Sequence, residues 1–497
     1  MTSTLHTQIT ETGAPQSGSY SLRSTGRRLL VGSGAYAITN FALKAVNFLL
    51  ITVFTRYLTP SDYGTISLAE ITASALAVFS GLGLDAALRR LYFHYADEPA
   101  RQRKYVSSVL RFAAVMTFSV LGLAFFAAWF FSSWISRHFA VPFFPYVALA
   151  IATAAANQLV DYRLGLYQSE QRPFPFSLMA SAAFVMTAGS ALILVVLFRR
   201  GAAGMLTGKL LGAVGAVLVA IAVSRKWLTG GFEWKFIRES LPIGLPIVPH
   251  LLMALGLVVA DRFILEHYRN LDEVGLYSVA YTFGMMMYLV TVSISQAWSP
   301  LFYDVARDGL AGQRVLGRLF SALSLLLVSI AIFGSMIAQD VVTHFLDRRY
   351  ASAGRLIPLI IAAYLFHALY SVLQPSLMQA RRVSFLWLVS GVALVANLSL
   401  NFLWIPPFGM YGAAYATTAA YGLEALLMFI YAQHVYPLDF SKLRLALALI
   451  VFTGVLWVTQ IHWQNSRVLV FAAAFVISFA TIFALGHREF SSLFKSW

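Results

Sequence analysis

Polar and ionisable side chains recur at helical spacing inside otherwise apolar segments of the chain. In the first such segment these residues are Tyr36, Asn40, Lys44 and Asn47. Their spacing of three or four residues puts them on one face of a helix. Lys44 lies about halfway along the segment, too deep to reach water easily, so we expect it to face a polar cavity. The pattern predicts that this face lines a polar cleft.

Three later segments carry similar polar stripes. They are Tyr277, Tyr281 and Tyr288; Tyr364, His367, Ser371 and Gln374; and Asn397 with Asn401. Amides and hydroxyls in such stripes are equally typical of hydrogen bonds between packed helices. Tyrosines near helix ends are more often interfacial residues, and a single histidine is more often a packing residue. The stripes therefore nominate residues for a cavity without assigning their roles.

Residues 241–265, LPIGLPIVPHLLMALGLVVADRFIL, combine three prolines with charged residues in an apolar stretch. Proline removes a backbone donor and clashes with the preceding helical turn, so this segment should bend. His250 and Asp261 are eleven residues apart and share one helical face, with Arg262 next to Asp261. Backbone carbonyls freed by a bend can be satisfied where they line a cavity. We therefore add His250, Asp261 and Arg262 to the candidate site.

The remaining charged residues of the apolar segments admit two interpretations each. Glu70, Asp161 and Glu424 either balance the cations or carry protons, and the sequence does not separate these roles. Arginines at the inner ends of segments either bind the ligand or extend to the membrane surface. These arginines are Arg89, Arg90, Arg111 and Arg163. The chain contains no cysteine, which excludes disulfides and cysteine-bound metals.

The elements that carry these residues are membrane helices. Of the 497 residues, 59 % are hydrophobic and only 11 % are charged, whereas soluble domains have about 25 % charged residues. Apolar runs long enough to cross a bilayer, ~20 residues each, recur along nearly the whole chain. The predicted spans are 30–56, 64–84, 105–131, 142–165, 174–198, 202–224, 240–262, 274–300, 316–338, 355–378, 383–405, 408–432, 443–462 and 467–486. The sequence thus predicts an all-α polytopic membrane protein and disfavours a soluble helical fold.

The formal net charge of +15 reflects membrane topology rather than nucleic-acid binding. With the N-terminus inside, 23 lysines and arginines fall in inner segments and 10 in outer loops. That bias predicts a protein of the cell (inner) membrane with both termini in the cytoplasm. Residues 1–28 are polar and lack the early apolar core of a signal peptide, so we interpret them as a disordered cytoplasmic tail. No nucleic-acid motif accompanies the basic residues.

The first twelve spans form two copies of a six-span unit. A shift of 211 residues places RYLTPSDYGTISLA (56–69) on HYRNLDEVGLYSVA (267–280), and GAA (201–203) on GAA (412–414). Because six is even, both copies start on the same side, and an axis along the membrane normal relates them. We therefore predict an N-lobe (29–224), an amphipathic cytoplasmic linker (225–239) and a C-lobe (240–432). Residues 433–497 hold spans 13 and 14 and a short cytoplasmic C-terminus.

With these motifs in view, the chain resembles the Wzx-type oligosaccharide-lipid flippases of the multidrug/oligosaccharidyl-lipid/polysaccharide exporter superfamily. The resemblance covers spans 1 to 12, through YGTISLAEITASALAVFSGLGLDAALRRLYF in span 2, GLPIVPHLLMALGLVVADRFIL in span 7 and NLSLNFLWIPPFGMYGAAYATTAAYG in spans 11 and 12. It implies alternating access and a polyprenyl-diphosphate-linked glycan as the carried molecule. Arg89 and Arg90 would take the family's arginine position, and Asp261 and Arg262 its Asp-Arg pair.

Within this resemblance the diphosphate headgroup requires cations, and three lie within N-lobe spans: Lys44, Arg111 and Lys209. The predicted cavity lining is Asn40, Lys44, Asn47, Glu70, Arg89, Arg90, Lys209, His250, Asp261, Arg262, His367, Gln374 and Asn397. We expect no cofactor apart from coupling to H+ or Na+. The bilayer and polysaccharide polymerase or assembly proteins are the expected partners.

Three alternatives remain at the level of sequence. A lipid II flippase would share the fold and a similar substrate. A multidrug/cation antiporter would favour carboxylates over lysine deep in the cavity. A membrane glycosyltransferase or polymerase would need large outer loops for an active site, whereas the outer loops here are short.

Overall fold

The computed structural model describes the backbone of residues 22–131, 140–380, 382 and 384–460. It describes their side chains except those of residues 22–37, 250 and 384. Predicted span 14, residues 1–21 and the C-terminus lie outside these residues. Residues 22–28, which we predicted to belong to a disordered tail, are instead the first turns of a helix. Every regular element within the described ranges is a helix, as predicted. We call outer the side that the charge bias assigns to the outside.

The N-lobe contains six spans at the predicted places. They are span 1 (Leu22–Tyr57), span 2 (Pro60–Gly81 and Leu84–His94), span 3 (Pro99–Phe130), span 4 (Ala148–Ser169), span 5 (Pro173–Leu192) and span 6 (Gly201–Val223). Span 2 begins with a capping box, in which Thr59 and Asp62 satisfy each other's backbone N–H groups. Pro60 follows at the first helical position, where no hydrogen bond is lost.

The C-lobe repeats this arrangement, and span 13 packs beside it. Its helices are span 7 (Trp234–Gly244 and Ile247–Tyr268), span 8 (Leu271–Gly284 and Met286–Val305), span 9 (Gly309–Phe345), span 10 (Ala353–Gln379), span 11 (Ser384–Phe408), span 12 (Met410–Val435) and span 13 (Lys442–Gln460). Twelve helical segments of the described chain can cross a membrane, and one of them, Leu271–Phe345, contains both span 8 and span 9. The described residues therefore contain thirteen of the predicted spans.

The predicted bend of span 7 is present. The helix ends at Gly244 and restarts at Ile247, one residue after Pro246. A second break, which the sequence analysis did not predict, interrupts span 2 where Leu82 and Gly83 adopt positive φ angles of 48° and 65°. The two breaks touch, since a Cβ on Gly83 would lie 2.3 Å from the carbonyl oxygen of Gly244. Only glycine allows these backbones to approach so closely.

The pseudo-two-fold axis runs between spans 2 and 8, and residues 211 apart meet across it. The Ser278 hydroxyl donates to Ser67 Oγ at 2.9 Å. One turn away, a Cβ on Gly64 would lie 3.3 Å from the Gly275 nitrogen. These contacts fit the predicted parallel repeat. Glycines with positive φ lie at the start of spans 6 and 12, Gly201 and Gly409. The sequence offset between the two copies of the repeat is therefore 208 residues at this point.

The lobes are joined at their outer ends. Arg349, in the loop before span 10, donates to the carbonyl oxygens of Thr55 and Arg56 at 3.2 Å each. Its neighbour Tyr350 donates to the carbonyl of Leu58 at 3.0 Å. These bonds satisfy carbonyls that the C-terminal end of span 1 leaves without helical partners. Arg349 also binds Asp347 at 2.9 Å, and this hydrogen bond lowers the pKa of the Asp347 carboxyl.

The interior packing of the two lobes differs. One large apolar core cluster fills most of the C-lobe beside a small one of Leu257, Ala363 and Tyr421, whereas buried apolar residues of the N-lobe form three separate clusters. In a membrane-length window of span 10, 83 % of residues are buried, against 44 % in span 4, its N-lobe counterpart. Span 4 is therefore less enclosed by protein than span 10.

Candidate functional site

The polar face of span 1 lies between the lobes. Phe48 contacts Phe283 of span 8, with ring centroids 4.4 Å apart. Lys44 and Asn40 lie one and two turns further inward on that face, and both side chains are exposed. Lys44 makes no hydrogen bond or ion pair with any residue that the structure describes. Lys44 is therefore an exposed cation on the face of span 1 that carries Phe48.

An open polar cavity of about 330 Å³ lies inside the N-lobe. Asn47 lines it from span 1 and Asn157 from span 4, together with Glu70 and Lys209. Lys209 Nζ donates to Glu70 Oε1 at 2.5 Å, while 28 % and 42 % of the two side chains remain exposed. The cavity thus offers amides and a neutralised ion pair rather than a free cation.

The C-lobe has a closed polar core where the N-lobe has a polar cavity. Asp261 and Arg262 form an ion pair at 3.2 Å with side chains that are only 1 % and 7 % exposed. The Tyr277 hydroxyl donates to Asp261 at 2.5 Å, and Thr417 lies 3.4 Å from the same oxygen. The Arg262 guanidinium lies 4.3 Å from the centre of the Tyr281 ring. The structure thus encloses Asp261 and Arg262 in protein.

A second polar group of the C-lobe includes His367 and Glu424. Nδ1 of His367 lies 3.4 Å from the Glu424 carboxylate, which is 2 % exposed and accepts a 3.0 Å bond from Ser390. Asn397 is buried and bonds Asn401 at 2.9 Å, while Gln374 is half-buried within span 10.

The arginines near the inner ends of the N-lobe spans are placed differently from one another. Arg89 forms an ion pair with Asp85 at 3.0 Å and also donates to Gln168. Arg90 is exposed. Arg111 donates to the carbonyl of Leu228 in the linker at 2.7 Å, so it extends to the inner surface.

Of the thirteen predicted lining residues, the structure brings Asn47, Glu70 and Lys209 together in one cavity, while Asn40 and Lys44 lie further inward on span 1. Asp261, Arg262, His367, Gln374 and Asn397 lie in the C-lobe, and Arg89 and Arg90 lie near the inner end of span 2. The His250 side chain lies outside the described residues. Sequence reasoning missed Asn157 and Thr153, which also line the N-lobe cavity. Their four-residue spacing in span 4 is the same signal that identified Asn40 and Lys44.

Arg349 and Thr417 were also missed. Arg349 lies in a loop and Thr417 within a small-residue run, so neither carries a periodic signal.

The sequence of this chain is similar to those of known proteins. A family model described as polysaccharide biosynthesis protein matches residues 53–355. An uncharacterised membrane protein of Haemophilus influenzae is 20 % identical over 364 residues, which cover 68 % of this chain and 84 % of that protein.

Three solved structures share the fold. The lipid II flippase MurJ in an inward closed conformation superposes with a TM-score of 0.61 and 14 % identity, over 90 % of this chain and 99 % of that one. The Vibrio cholerae MATE transporter VcmN, in a mutant form, gives 0.57 and 11 %, over 83 % and 97 %. An inward-facing MATE family transporter of the MOP superfamily gives 0.58 and 13 %, over 83 % and 99 %.

At these identities the structural likeness establishes the fold, and the proteins that share it here are flippases and transporters rather than enzymes. The family model covers more than half of the chain. This multi-pass membrane protein therefore belongs to the polysaccharide biosynthesis protein family and has the fold of the MOP superfamily flippases and transporters.

Proposed function

We propose that this protein moves a polyprenyl-diphosphate-linked oligosaccharide from the inner to the outer leaflet of the cytoplasmic membrane for surface polysaccharide synthesis. Exopolysaccharide, capsule and O-antigen are all pathways of this kind. The observation that carries the proposal is Lys44, an exposed cation on the inter-lobe face of span 1. The family and the two-lobe fold support transport by alternating access.

The charge of the headgroup explains why Lys44 matters. A diphosphate carries about two negative charges that hydrocarbon alone would exclude. Among the three cations predicted within spans, Lys209 pairs with Glu70 and Arg111 with a linker carbonyl. Only Lys44 has no partner among the described residues. The amides of Asn40 and Asn47, on either side of it, provide hydrogen-bonding groups for the sugars.

A cation antiporter fits these residues less well. Its substrate would need a carboxylate free to face the ligand. Glu70 is paired with Lys209, Asp261 with Arg262, and Glu424 with Ser390 and His367. Asp161 is exposed and makes no hydrogen bond or ion pair with the described residues, so it is the one carboxylate of these four that is open to a ligand. It lies near the inner end of span 4, on the face of Gly165, which packs against Asp85 and Arg89.

A lipid II flippase would handle the same diphosphate, so the substrate must be distinguished by assay rather than by charge. We expect competition by lipid II to be weaker than competition by the cognate oligosaccharide-lipid.

The direction of transport requires a defined topology, with both termini in the cytoplasm. Arg269 lies between spans 7 and 8, and Arg382 between spans 10 and 11. A reporter fused after Arg269 should lie outside the membrane, and a reporter fused after Arg382 should lie in the cytoplasm. The same sidedness at both positions would contradict the topology and with it the proposed direction.

Replacement of Lys44 tests the mechanism. At an effective dielectric of ~20, a cation about 4 Å from one phosphate charge gains roughly 4 kcal/mol before desolvation. Loss of half of that slows translocation by more than about tenfold. Lys44→Gln should therefore fail to restore surface polysaccharide in a flippase-null host at matched protein level, while Lys44→Arg restores part of it. Lys442→Gln, at the exposed first residue of span 13, removes the same charge and should restore surface polysaccharide fully.

A further inference from the structure

Two apolar side cavities occupy equivalent positions in the two lobes. The N-lobe cavity lies among spans 2, 3, 4 and 7 and has a volume of about 760 Å³. The C-lobe cavity lies among spans 8, 9, 10 and 1 and has about 190 Å³. Thr72, Ala75 and Ala127 line the first, and their counterparts 211 residues later, Phe283, Met286 and Ala338, line the second. The two cavities are therefore related by the internal repeat.

Side-chain size accounts for the difference in volume. In the C-lobe, Phe283 and Met286 fill the space together with Phe48 from the other lobe. In the N-lobe the equivalent positions hold Thr72 and Ala75, and Ala124 adds a further small side chain. The protein fills one site with its own apolar side chains and leaves the other unfilled. An apolar void without an occupant forfeits the contacts of its lining atoms.

The location of the N-lobe cavity restricts what fills it. Its lining residues lie in the outer half of the spans, and span 2 and span 7 approach from opposite lobes through Leu68 and Phe263. Glu266 stands at its edge, where the Ala140 N–H donates to it at 2.7 Å. Water needs two to four polar partners to occupy such a space, which the lining does not offer. Hydrocarbon is the chemistry that fits.

We infer that this N-lobe side cavity binds the polyprenyl chain of the carried lipid in the outer leaflet. The inference rests on the proposed function. A headgroup held between the lobes must extend its chain through a seam between them, and this cavity lies at such a seam. Its volume is within the range of ~300–1,000 Å³ that ligand sites have.

Photo-crosslinking tests the occupant. Phe263 lines the cavity, whereas Phe126 lies outside it near the outer end of span 3 with 63 % of its surface exposed. Each is replaced in turn by p-benzoylphenylalanine in the full chain, in vesicles of phospholipid containing a long-chain polyprenyl phosphate. We expect crosslinks at position 263 to favour the prenyl chain about tenfold over position 126, relative to its abundance. Crosslinks to phospholipid in proportion to abundance at both positions would overturn the inference.

Filling the cavity provides the functional test. Thr72→Phe with Ala75→Met introduces the side chains of the C-lobe counterparts. The control, Val115→Met with Val185→Met, adds bulk at positions that are 60 % and 66 % exposed. With thermal unfolding unchanged, the filled variant should lose the prenyl crosslink and transport about tenfold more slowly than the control. Equal rates would contradict the site. Transport by the wild-type chain in the same vesicles tests the proposed function separately.

Discussion

Two ion pairs, one in each lobe, are buried to different extents. Glu70 and Lys209 meet in an open N-lobe cavity, with 42 % and 28 % of their side chains exposed. Asp261 and Arg262 are enclosed by tyrosines of the C-lobe and are 1 % and 7 % exposed. The first pair remains solvated, whereas the second has given up nearly all of its hydration.

The internal repeat does not relate these pairs. At the offset of 211, Asp261 and Arg262 correspond to Leu50 and Ile51, and Glu70 corresponds to Tyr281. The N-lobe pair therefore lies on spans 2 and 6, whereas the C-lobe pair lies on span 7. A solvated pair can separate at small cost, while a buried pair holds its surroundings together. We propose that the N-lobe pair contacts the ligand and that the C-lobe pair stabilises the packing of its lobe as a scaffold.

The largest effect should follow the loss of the C-lobe pair. Asp261→Asn leaves Arg262 buried without its counter-charge, which costs about 3–5 kcal/mol. We expect low membrane yield and a clear drop in the midpoint of thermal unfolding in detergent. Asp261→Leu with Arg262→Met removes both charges and should recover much of the loss. An unchanged midpoint for Asp261→Asn would show that the C-lobe is not the scaffold.

An intermediate effect is expected where the lobes meet. A Cβ on Gly275 would lie 1.8 Å from the carbonyl oxygen of Pro60, so Gly275→Ala forces the outer ends apart. Overpacking of this kind costs roughly 1–3 kcal/mol. The chain has no cysteine, so the only thiols in a Ser67→Cys, Ser278→Cys variant are the two introduced ones. A short crosslinker joins them only while the outer ends of spans 2 and 8 are close together. We expect Gly275→Ala to lower the crosslinked fraction, with Gly122→Ala as the control because no atom lies within 4 Å of an added Cβ. Equal crosslinked fractions in Gly275→Ala and Gly122→Ala would contradict close packing of spans 2 and 8 at their outer ends.

The smallest effect on stability should follow the loss of the N-lobe pair. Because both side chains are partly exposed, Glu70→Gln with Lys209→Gln should change stability by about 0–1 kcal/mol. The midpoint of thermal unfolding should stay close to that of the wild type. A fall as large as that of Asp261→Asn would remove the contrast between the lobes.

Much of the fold could be predicted from sequence because its signals are local or periodic. Apolar length located the spans, prolines located the bend of span 7, and the offset of 211 predicted the two-lobe repeat. The break at Leu82 was missed because it depends on contact between Gly83 and Gly244, which are distant in sequence. Spacing alone also cannot reveal a three-residue change of offset in a loop.

The candidate site was predicted only in part. Helical spacing put Asn47 on the cavity side of span 1. It could not tell whether Asp261 faces a cavity or a packed core, because that depends on Tyr277 and Thr417 from two other spans. Nor does composition show that Lys209 is neutralised by Glu70, 139 positions away. Pairing across a bundle is a property of tertiary structure.

We propose that the Lys44 cation binds the diphosphate of a lipid-linked glycan while the protein moves that lipid between leaflets. Its most direct test is the rate at which purified protein, in vesicles, exposes a fluorescent polyprenyl-diphosphate oligosaccharide to a membrane-impermeant quencher. We predict that wild type and Lys442→Gln flip the lipid at similar rates and that Lys44→Gln is slower by more than about tenfold. Equal rates for Lys44→Gln and wild type would contradict the role of Lys44, and no flipping by the wild-type protein would contradict the proposed substrate.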